Sequence, residues 1–479
     1  MKILLVRPVS WLRYMELWCC YGLASAVRKE HSVKILDCPA RGFTHKDFER
    51  YVKEESPDVV GFTEMFFTLS AVAKSASIVK SINPKIVTVA GGPSVTAEPV
   101  ESLRFLPDID FGIRGEGEIP FSKLIDALNN LQNNFSAIKG LVYRENGKIF
   151  ANGPFYIDDI NKLPLPSWDI AGLKKYPVSG QLGRMGSRSF LPISIIRGCL
   201  YKCHICTVRN GIHVRMRNFD SIMEEIGYAH RLYGIDNFQI VDDNFAVNRE
   251  FVLGFCEKLM HLDFKVKWGA FHTRIECLDK EVIRAMDRAG CYYLTTGIET
   301  ASQEALNDTG KRMDLGLVKE RLRLIRDTSR IKVGGFFLVG LPGETKKDIF
   351  ATLRLSRSLP LECIWFTIVR VEPGSQWYSS LKAKDGRAAS FASLIRNNCL
   401  CPGMTFSFRQ YQGFVRRAIL RFYLRPRAII SFIRNLLDRR NRICVLNLPT
   451  IFSFLFSVDI SKDSGYGVPA RIKDESGKE

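Results

Sequence analysis

"RGCLYKCHIC" fills residues 197–206 and sets three cysteines, Cys199, Cys203 and Cys206, within eight positions. The stretch leaves an apolar, β-branched run, "ISII" (193–196), and Gly198 gives the chain freedom to turn out of it. Five further strand-like runs follow: "DNFQIVDDNF" (236–245), "KVKWGAFHTRI" (265–275), "YYLTTGIET" (292–300), "KVGGFFLVGLPGE" (332–344) and "CIWFTIVRVEPG" (363–374). Between them lie segments with apolar residues at helical spacing, such as "REFVLGFCEKLM" (249–260) and "KEVIRAMDRAG" (280–290), the latter ending on glycine. Six strand–helix units predict a partial (β/α)6 barrel over 191–400. Chemistry in such folds gathers at the C-terminal ends of the strands, and the cysteine loop falls at such an end.

Three thiolates fall one short of a tetrahedral zinc site. His204 lies inside the loop, but as a fourth ligand it would strain the geometry. A four-iron cluster held by three cysteines instead leaves one iron open, and an open iron can bind and act on a substrate. The chain holds thirteen cysteines, and its start, "MKILLVRPV", has only four apolar residues before Arg7, too few for a secretory core. A cytoplasmic protein with reduced thiols is therefore expected. Cys256, Cys277, Cys291 and Cys363, each alone in an apolar segment, are expected to be buried packing residues.

Upstream, "KILLVRP" (2–8), "SVKILD" (32–37), "DVVGFTE" (58–64), "KIVTVAGG" (85–92) and "IDFGIRGEGE" (109–118) read as strands, with helical patterns such as "LSAVAKSASIVKSI" (69–82) between them. This alternation predicts an α/β domain over 1–138 with a parallel, doubly wound, flavodoxin-like sheet, whose ligand lies beyond the carboxyl ends of the strands. Those ends are rich in glycine, which suits either close approach to a ligand or tight strand-to-helix turns. "GLVYRENGKIFANGP" (140–154) predicts a hairpin turning at Asn146-Gly147, and the Pro-rich "NKLPLPSWDI" (161–170) an extended linker, so 139–190 is assigned to hairpin and linker.

The formal net charge of +19 points to an anionic partner. Ten arginines between Cys401 and Cys444 (409, 416, 417, 421, 425, 427, 434, 439, 440 and 442) face one acid, Asp438, and alternate with aromatic and aliphatic residues. A basic helical region is expected over 401–460, and a disordered polar tail over 461–479. Such a surface suits peripheral membrane contact or an anionic, lipid-like substrate. No run reaches the roughly 18 apolar residues of a spanning helix; "ICVLNLPTIFSFLFSV" (443–458) is shorter and holds Asn447 and Pro449. Nucleic acid is not an expected partner, since no recognition motif is present. A non-catalytic, cluster-binding regulator that does bind it would show steep salt dependence.

The cysteine motif and its strand–loop setting resemble the radical S-adenosylmethionine (SAM) superfamily, although Ile205 stands where that family commonly has an aromatic residue. The resemblance implies that Cys199, Cys203 and Cys206 hold a 4Fe–4S cluster whose open iron chelates SAM. One electron, from a reductant protein such as a flavodoxin or ferredoxin, then cleaves SAM to methionine and a 5′-deoxyadenosyl radical. It further implies SAM contacts: Asp242 and Asp243 for the amino group, though the usual Gly-Gly-Glu is absent, and Arg274 for the carboxylate. Glu299 would take the ribose hydroxyls, and Gly335 and Gly340 would lie against the adenine. "VVGFT", "AGGPSVTAEP" and "DFGIRGEGE", in that order ahead of the cysteine loop, resemble the cobalamin (B12)-binding subgroup. Thr63, Gly91, Gly92, Pro93, Ser94, Gly115, Glu116 and Gly117 would line the corrin, and "RPVSWLRYMELW" (7–18) offers no histidine for its lower face. That subgroup includes methylases of unactivated carbon and the anaerobic cyclase of chlorophyll's fifth ring. A cobalamin-dependent radical C-methyltransferase is therefore implied, with radical cyclisation or oxidation without methyl transfer as the alternative.

Overall fold

A computed structural model describes residues 1–10, 18–132, 134–170, 191–207, 213–397, 400–426 and 429–430. Their contacts divide into two units, one of residues 1–170 with 371–397, the other of 191–370 with 400–430.

In the first unit the predicted strands form as β1 (Lys2–Arg7), β2 (Ser32–Asp37), β3 (Val59–Thr63), β4 (Val87–Gly91) and β5 (Phe111–Ile113), followed by β6 (Leu141–Glu145) and β7 (Lys148–Ala151). The sheet order is β2-β1-β3-β4-β5-β6-β7. The first five strands are parallel, and β6 and β7 continue the sheet antiparallel. Ile3 to Val6 of β1 are fully buried, as expected of a parallel strand covered on both faces. Asn146 and Gly147 both take positive φ, 49° and 75°, which a tight hairpin requires. The order of strands reverses at β1/β3, so the cleft beyond their carboxyl ends is the topological switch point.

The Pro-rich stretch 161–170 is fastened to this unit. Trp168 is buried 4.9 Å from the Tyr21 ring, the Ser167 amide donates to the Tyr21 carbonyl at 3.1 Å, and Arg28 grips Asp169 through two bonds of 2.5 and 2.7 Å. Residues 371–397 also belong here: Phe391 meets the edge of Phe66 at 5.0 Å, and Lys382 pairs with Glu98 at 2.6 Å.

The second unit holds β8 (Leu191–Ile193), β9 (Ile196–Arg197), β10 (Arg215–Met216), β11 (Asn237–Ile240), β12 (Lys267–Ala270), β13 (Cys291–Glu299), β14 (Lys332–Val339) and β15 (Cys363–Ile368). Six of them pair in parallel, in the order β15-β14-β13-β12-β11-β8, the expected partial barrel. The strand before the cysteines is split, because β9 leaves the barrel sheet and pairs antiparallel with β10. Behind β11 and β12, Trp268 stacks on Phe238 and meets the rings of Phe245 and Phe255 edge-on. Each such ring pair adds about 0.5–1.5 kcal/mol beyond the area it buries, which fixes the strand ends that carry the site.

Helix Phe408–Tyr423 starts on a Ser407–Gln410 capping box and buries Tyr411, Phe414, Val415, Ala418 and Phe422 against β15 and helix Lys346–Ser358. The segment 443–458, the tail 461–479, the linker residues 171–190 and Arg427, Arg434, Arg439, Arg440 and Arg442 lie outside the described residues. Among the described residues no helix is long and apolar enough to cross a membrane.

Candidate functional site

Cys199, Cys203 and Cys206 lie on the loop after β9, half-buried and free of disulfides. Gly198 makes the turn into the loop with φ +92°. The loop is tied down from within: the His204 amide donates to the Thr309 carbonyl at 2.7 Å, and its Nδ1 lies 2.8 Å from the Asp308 carbonyl. The imidazole covers Gly310, where a Cβ would come within 2.6 Å of the ring. His204 is thus a tether, which agrees with leaving it out of the ligand set. Burial holds the Cys199 and Cys203 thiols above their ordinary value, while the positive charges of Lys311 and Arg274 act on Cys203 in the opposite sense. Three thiols outside any disulfide, with two cations acting on them, suit an anionic iron–sulfur cluster.

Arg274 meets this loop directly. Its guanidinium stacks 3.7 Å over the Tyr201 ring, donates to Glu276 at 2.5 Å, and bonds the Lys311 carbonyl twice at 3.0 Å and that of Arg312 at 3.3 Å. Arg274 therefore clasps the cysteine loop to residues 311–312, a different part from the open carboxylate donor expected of it. Asp242 is likewise committed. Its two oxygens accept the Ile195 and Ile196 amides, each at 2.9 Å, and fix the backbone just ahead of the cysteines. Burial pushes its carboxyl up to about 8. Asp243, next in the chain, is exposed, and its charge acts on both Cys199 and His272.

Glu299 stands at the end of β13 and pairs with Lys311 at 2.5 Å; the same Nζ donates to the Gly297 carbonyl at 2.6 Å. Gly335 and Gly334 look to opposite faces of β14. A Cβ on Gly335 would enter the packed layer of Leu361, Phe337 and Ile298, whereas one on Gly334 would meet the Tyr293 hydroxyl and Trp365 on the opposite face. The alternation of a strand puts Gly334 and Phe336 on one face and Gly335 on the other. Gly340, with φ +89°, donates to Glu344 at 2.6 Å, and a Cβ on it would strike Met404.

Three further residues stand around the cysteine loop and these strand ends without a role legible in the sequence. Lys311 is one and Tyr201 another. His272 is the third, an exposed residue just beyond β12; its ring stacks 6.1 Å from Phe336, which stacks 4.7 Å from Trp365. Tyr201 and His272 carried one legible signal, polarity inside the motif and at a strand end, whereas Lys311, beyond the helix Gln303–Asp308, carried none. Backbone strain marks the same place: His272, Glu299 and Arg312 have φ of 51°, 67° and 47°, three of the six non-glycine residues with positive φ among the described residues. Such conformations cost about 1–3 kcal/mol each and persist where the surroundings impose them. Cys277, expected to be buried, is exposed on the turn after β12, 3.5 Å from the Tyr201 hydroxyl. Cys256, Cys291 and Cys363 are buried.

In the first unit, Thr63 ends β3, with its hydroxyl 3.8 Å from the Cys19 thiol. Gly91 ends β4, Gly92 turns the chain, and Pro93 and Ser94 open the short helix Pro93–Ala97. Gly115, Glu116 and Gly117 follow β5. The protein itself demands two of these glycines. A Cβ on Gly92 would lie 2.1 Å from the Glu64 carbonyl, and one on Gly115 the same distance from that of Phe155. Glu116 is engaged too, accepting the Ile157 amide at 2.7 Å. The turns end in small side chains around the switch point, and a buried Glu64 oxygen beside them meets no partner in full hydrogen-bond geometry among the described residues. Both features suit a bulky polar ligand such as a corrin.

Comparison with known proteins agrees with both halves of this picture. The Radical SAM superfamily model matches residues 193–356, and the B12 binding domain model matches residues 17–125. The chain belongs to the radical SAM superfamily, in the subgroup that carries a B12 binding domain. It is 29% identical over 447 residues to an uncharacterized methyltransferase, PH0819, of Pyrococcus horikoshii, covering 90% of this chain and 94% of that one. It is 27% identical to the anaerobic magnesium-protoporphyrin IX monomethyl ester cyclase of Cereibacter sphaeroides, over 73% of this chain and 56% of the longer cyclase. Among solved structures, the radical SAM methyltransferase TsrM from Kitasatospora setae, holding cobalamin and an iron–sulfur cluster, shares the fold. Its TM-score is 0.65 at 18% identity, over 80% of this chain and 75% of that one.

Proposed function

We propose that this chain is a cobalamin-dependent radical SAM C-methyltransferase acting on an unactivated carbon of a small or lipid-like, anionic substrate. The observation that carries the reading is the three-cysteine loop, held at the strand ends that present Glu299, Lys311 and His272, in a chain that also has a B12 binding domain. When bound, the cluster supplies the electron that cleaves SAM, and cobalamin supplies a carrier for the methyl group. The chain's own residues hold and orient. The three thiols ligate iron, Asp242 and Arg274 fix the ligating loop, and Glu299 with Lys311 offers paired charges to polar parts of SAM. The stacked Phe336 and Trp365 rings give an apolar wall that keeps water from a reactive intermediate. A flavodoxin or ferredoxin is proposed as the electron source. The likeness to PH0819, which spans nearly both chains, favours methyl transfer; the likeness to the cyclase favours the second reading, ring formation without methyl transfer.

The two readings part on labelled SAM. Protein reconstituted anaerobically with iron, sulfide and cobalamin is incubated with methyl-labelled SAM, a reductant and a lipid and metabolite extract. The proposal expects 5′-deoxyadenosine and label in an acceptor other than methionine. Formation of 5′-deoxyadenosine with no labelled acceptor overturns methyl transfer in favour of the second reading.

The C-terminal helix bears on the substrate's setting. Beside its buried face, Leu420 (50% exposed) and Leu424 (67%) stand in the open, with exposed Arg417 and Arg421 one turn away along the chain. We assign this face to an anionic bilayer, since arginine-rich apolar surfaces bind acidic headgroups at about 1 kcal/mol per basic residue. The protein is expected to sediment with acidic-phospholipid vesicles at low salt and to be released at high salt. Equal behaviour with neutral and acidic vesicles overturns the assignment.

A further inference from the structure

Glu64 follows the last residue of β3 and is only 2% exposed, an unusual place for a carboxyl group. The turn after β4 is built around it. The Glu64 amide donates to the Gly91 carbonyl at 2.9 Å, and Oε1 accepts the Ser94 amide at 2.7 Å and the Val95 amide at 3.0 Å. Gly92, with φ +152°, passes so close that a Cβ would lie 2.1 Å from the Glu64 carbonyl and 2.9 Å from Oε1. The second oxygen, Oε2, is buried and meets no partner in full hydrogen-bond geometry among the described residues, although the Ser94 hydroxyl lies near enough to favour the ionised carboxyl. Nothing else charged lies in 62–69 or 90–97; Glu372 acts on Glu64 from the segment 371–397.

We propose that Glu64 is a positioning residue of the cobalamin site, whose carboxylate holds the turn 91–94 in the form that accepts the corrin. The proposal rests on reading this cleft as the cobalamin site. Glutamine keeps the shape of the side chain and one acceptor oxygen for the two amides. A carboxylate does more, because bonds from N–H groups to an ionised acceptor are roughly twice as strong as neutral ones. Burial is the largest influence on this carboxyl and pushes it up to about 7; Glu372 acts in the same sense, and the Val95 amide, the Ser94 hydroxyl and the Ser94 amide oppose it. The firm, ionised form of the turn therefore fills as pH rises through neutrality, and corrin affinity rises with it. Protein stability moves the other way. Over the window from the ordinary glutamate value to about 7, the folded chain holds a proton that the unfolded chain has released, so stability falls as pH rises.

The test is titration of hydroxocobalamin into the intact protein, followed by absorbance, for wild type, Glu64→Gln and Glu64→Ala between about pH 6 and 8. A melting curve is recorded for each protein at each pH. Wild type is expected to bind several-fold more tightly at the upper end than at the lower. Glu64→Gln is expected to lose that dependence, so the ratio of the two dissociation constants changes with pH; titration of the ligand itself is common to both and cancels. Glu64→Ala is expected to bind at least tenfold more weakly at high pH. A Glu64→Gln protein with the wild-type pH profile overturns the role of Glu64 and leaves the cobalamin reading standing, even where the alanine variant fails to fold. Absence of binding by wild type at every pH overturns both.

Discussion

Alanine at Cys199, Cys203 or Cys206 is expected to take iron from about four per chain to near zero and to abolish reductive cleavage of SAM. A cluster on three thiolates has no spare protein ligand, so losing one leaves two irons without a protein thiolate. The loop itself should survive the change. Its anchors are backbone and imidazole bonds from His204 to Thr309 and Asp308, and the Tyr201–Arg274 stack, none of which needs a cysteine side chain. The melting temperature of each apo variant should therefore stay near that of wild-type apoprotein. Cys19→Ala and Cys256→Ala, the one beside Thr63 and the other in the core behind β11, should keep their iron. Full iron and undiminished 5′-deoxyadenosine formation in any of the three loop variants would refute the assignment.

The second large effect is expected at Asp242. Removing its carboxyl in Asp242→Ala strands the Ile195 and Ile196 amides in a buried setting, at about 1–3 kcal/mol for each unpaired group. Because those amides lie at the start of β9, just ahead of the cysteines, the loss should appear both as a lowered melting temperature and as poor iron loading with all three cysteines present. The pH dependence identifies the cause. The folded carboxyl sits at about 8, well above its ordinary value. Between that ordinary value and about 8 the native state binds a proton the unfolded chain has given up, so this group's contribution to stability is fully present at acid pH and declines as pH rises. Asp242→Asn should flatten that decline while leaving one amide unpaired. A melting temperature in Asp242→Ala equal to wild type across this range would show that the two bonds carry no weight.

Much of the fold was legible because β-branched runs at regular spacing need little context: most strands of the two large sheets fall within their predicted runs, with β13 starting one residue early and β8 ending where the run at 193–196 begins. The cysteine loop was legible because its meaning lies in spacing alone. The errors arose where a residue's role is set by partners far along the chain. Arg274 carries the right charge, but its acceptors at Lys311 and Arg312 and its stacking partner Tyr201 are far away in sequence. Gly334 and Gly335 are adjacent glycines, and nothing local says which of them faces the wall of Leu361 and Ile298. Gly92 and Gly115 stood out correctly as special, yet the structure gives each a reason inside the protein, the carbonyls of Glu64 and Phe155. The return of 371–397 to the first unit carries no mark in the sequence at all.

That return has a consequence for synthesis. The first unit is the first to leave the ribosome, but Phe391 and Lys382, which pack on Phe66 and Glu98, come about two hundred residues later. At 5–20 residues per second, roughly 10–40 s pass between the emergence of residue 170 and that of 371. Through that interval the nascent chain carries an unfinished sheet domain with Phe66 and Phe105 uncovered, while the whole barrel is still being made. The order of translation thus runs against the order of completion, and the chain is a natural client for chaperones that shield exposed aromatic surface.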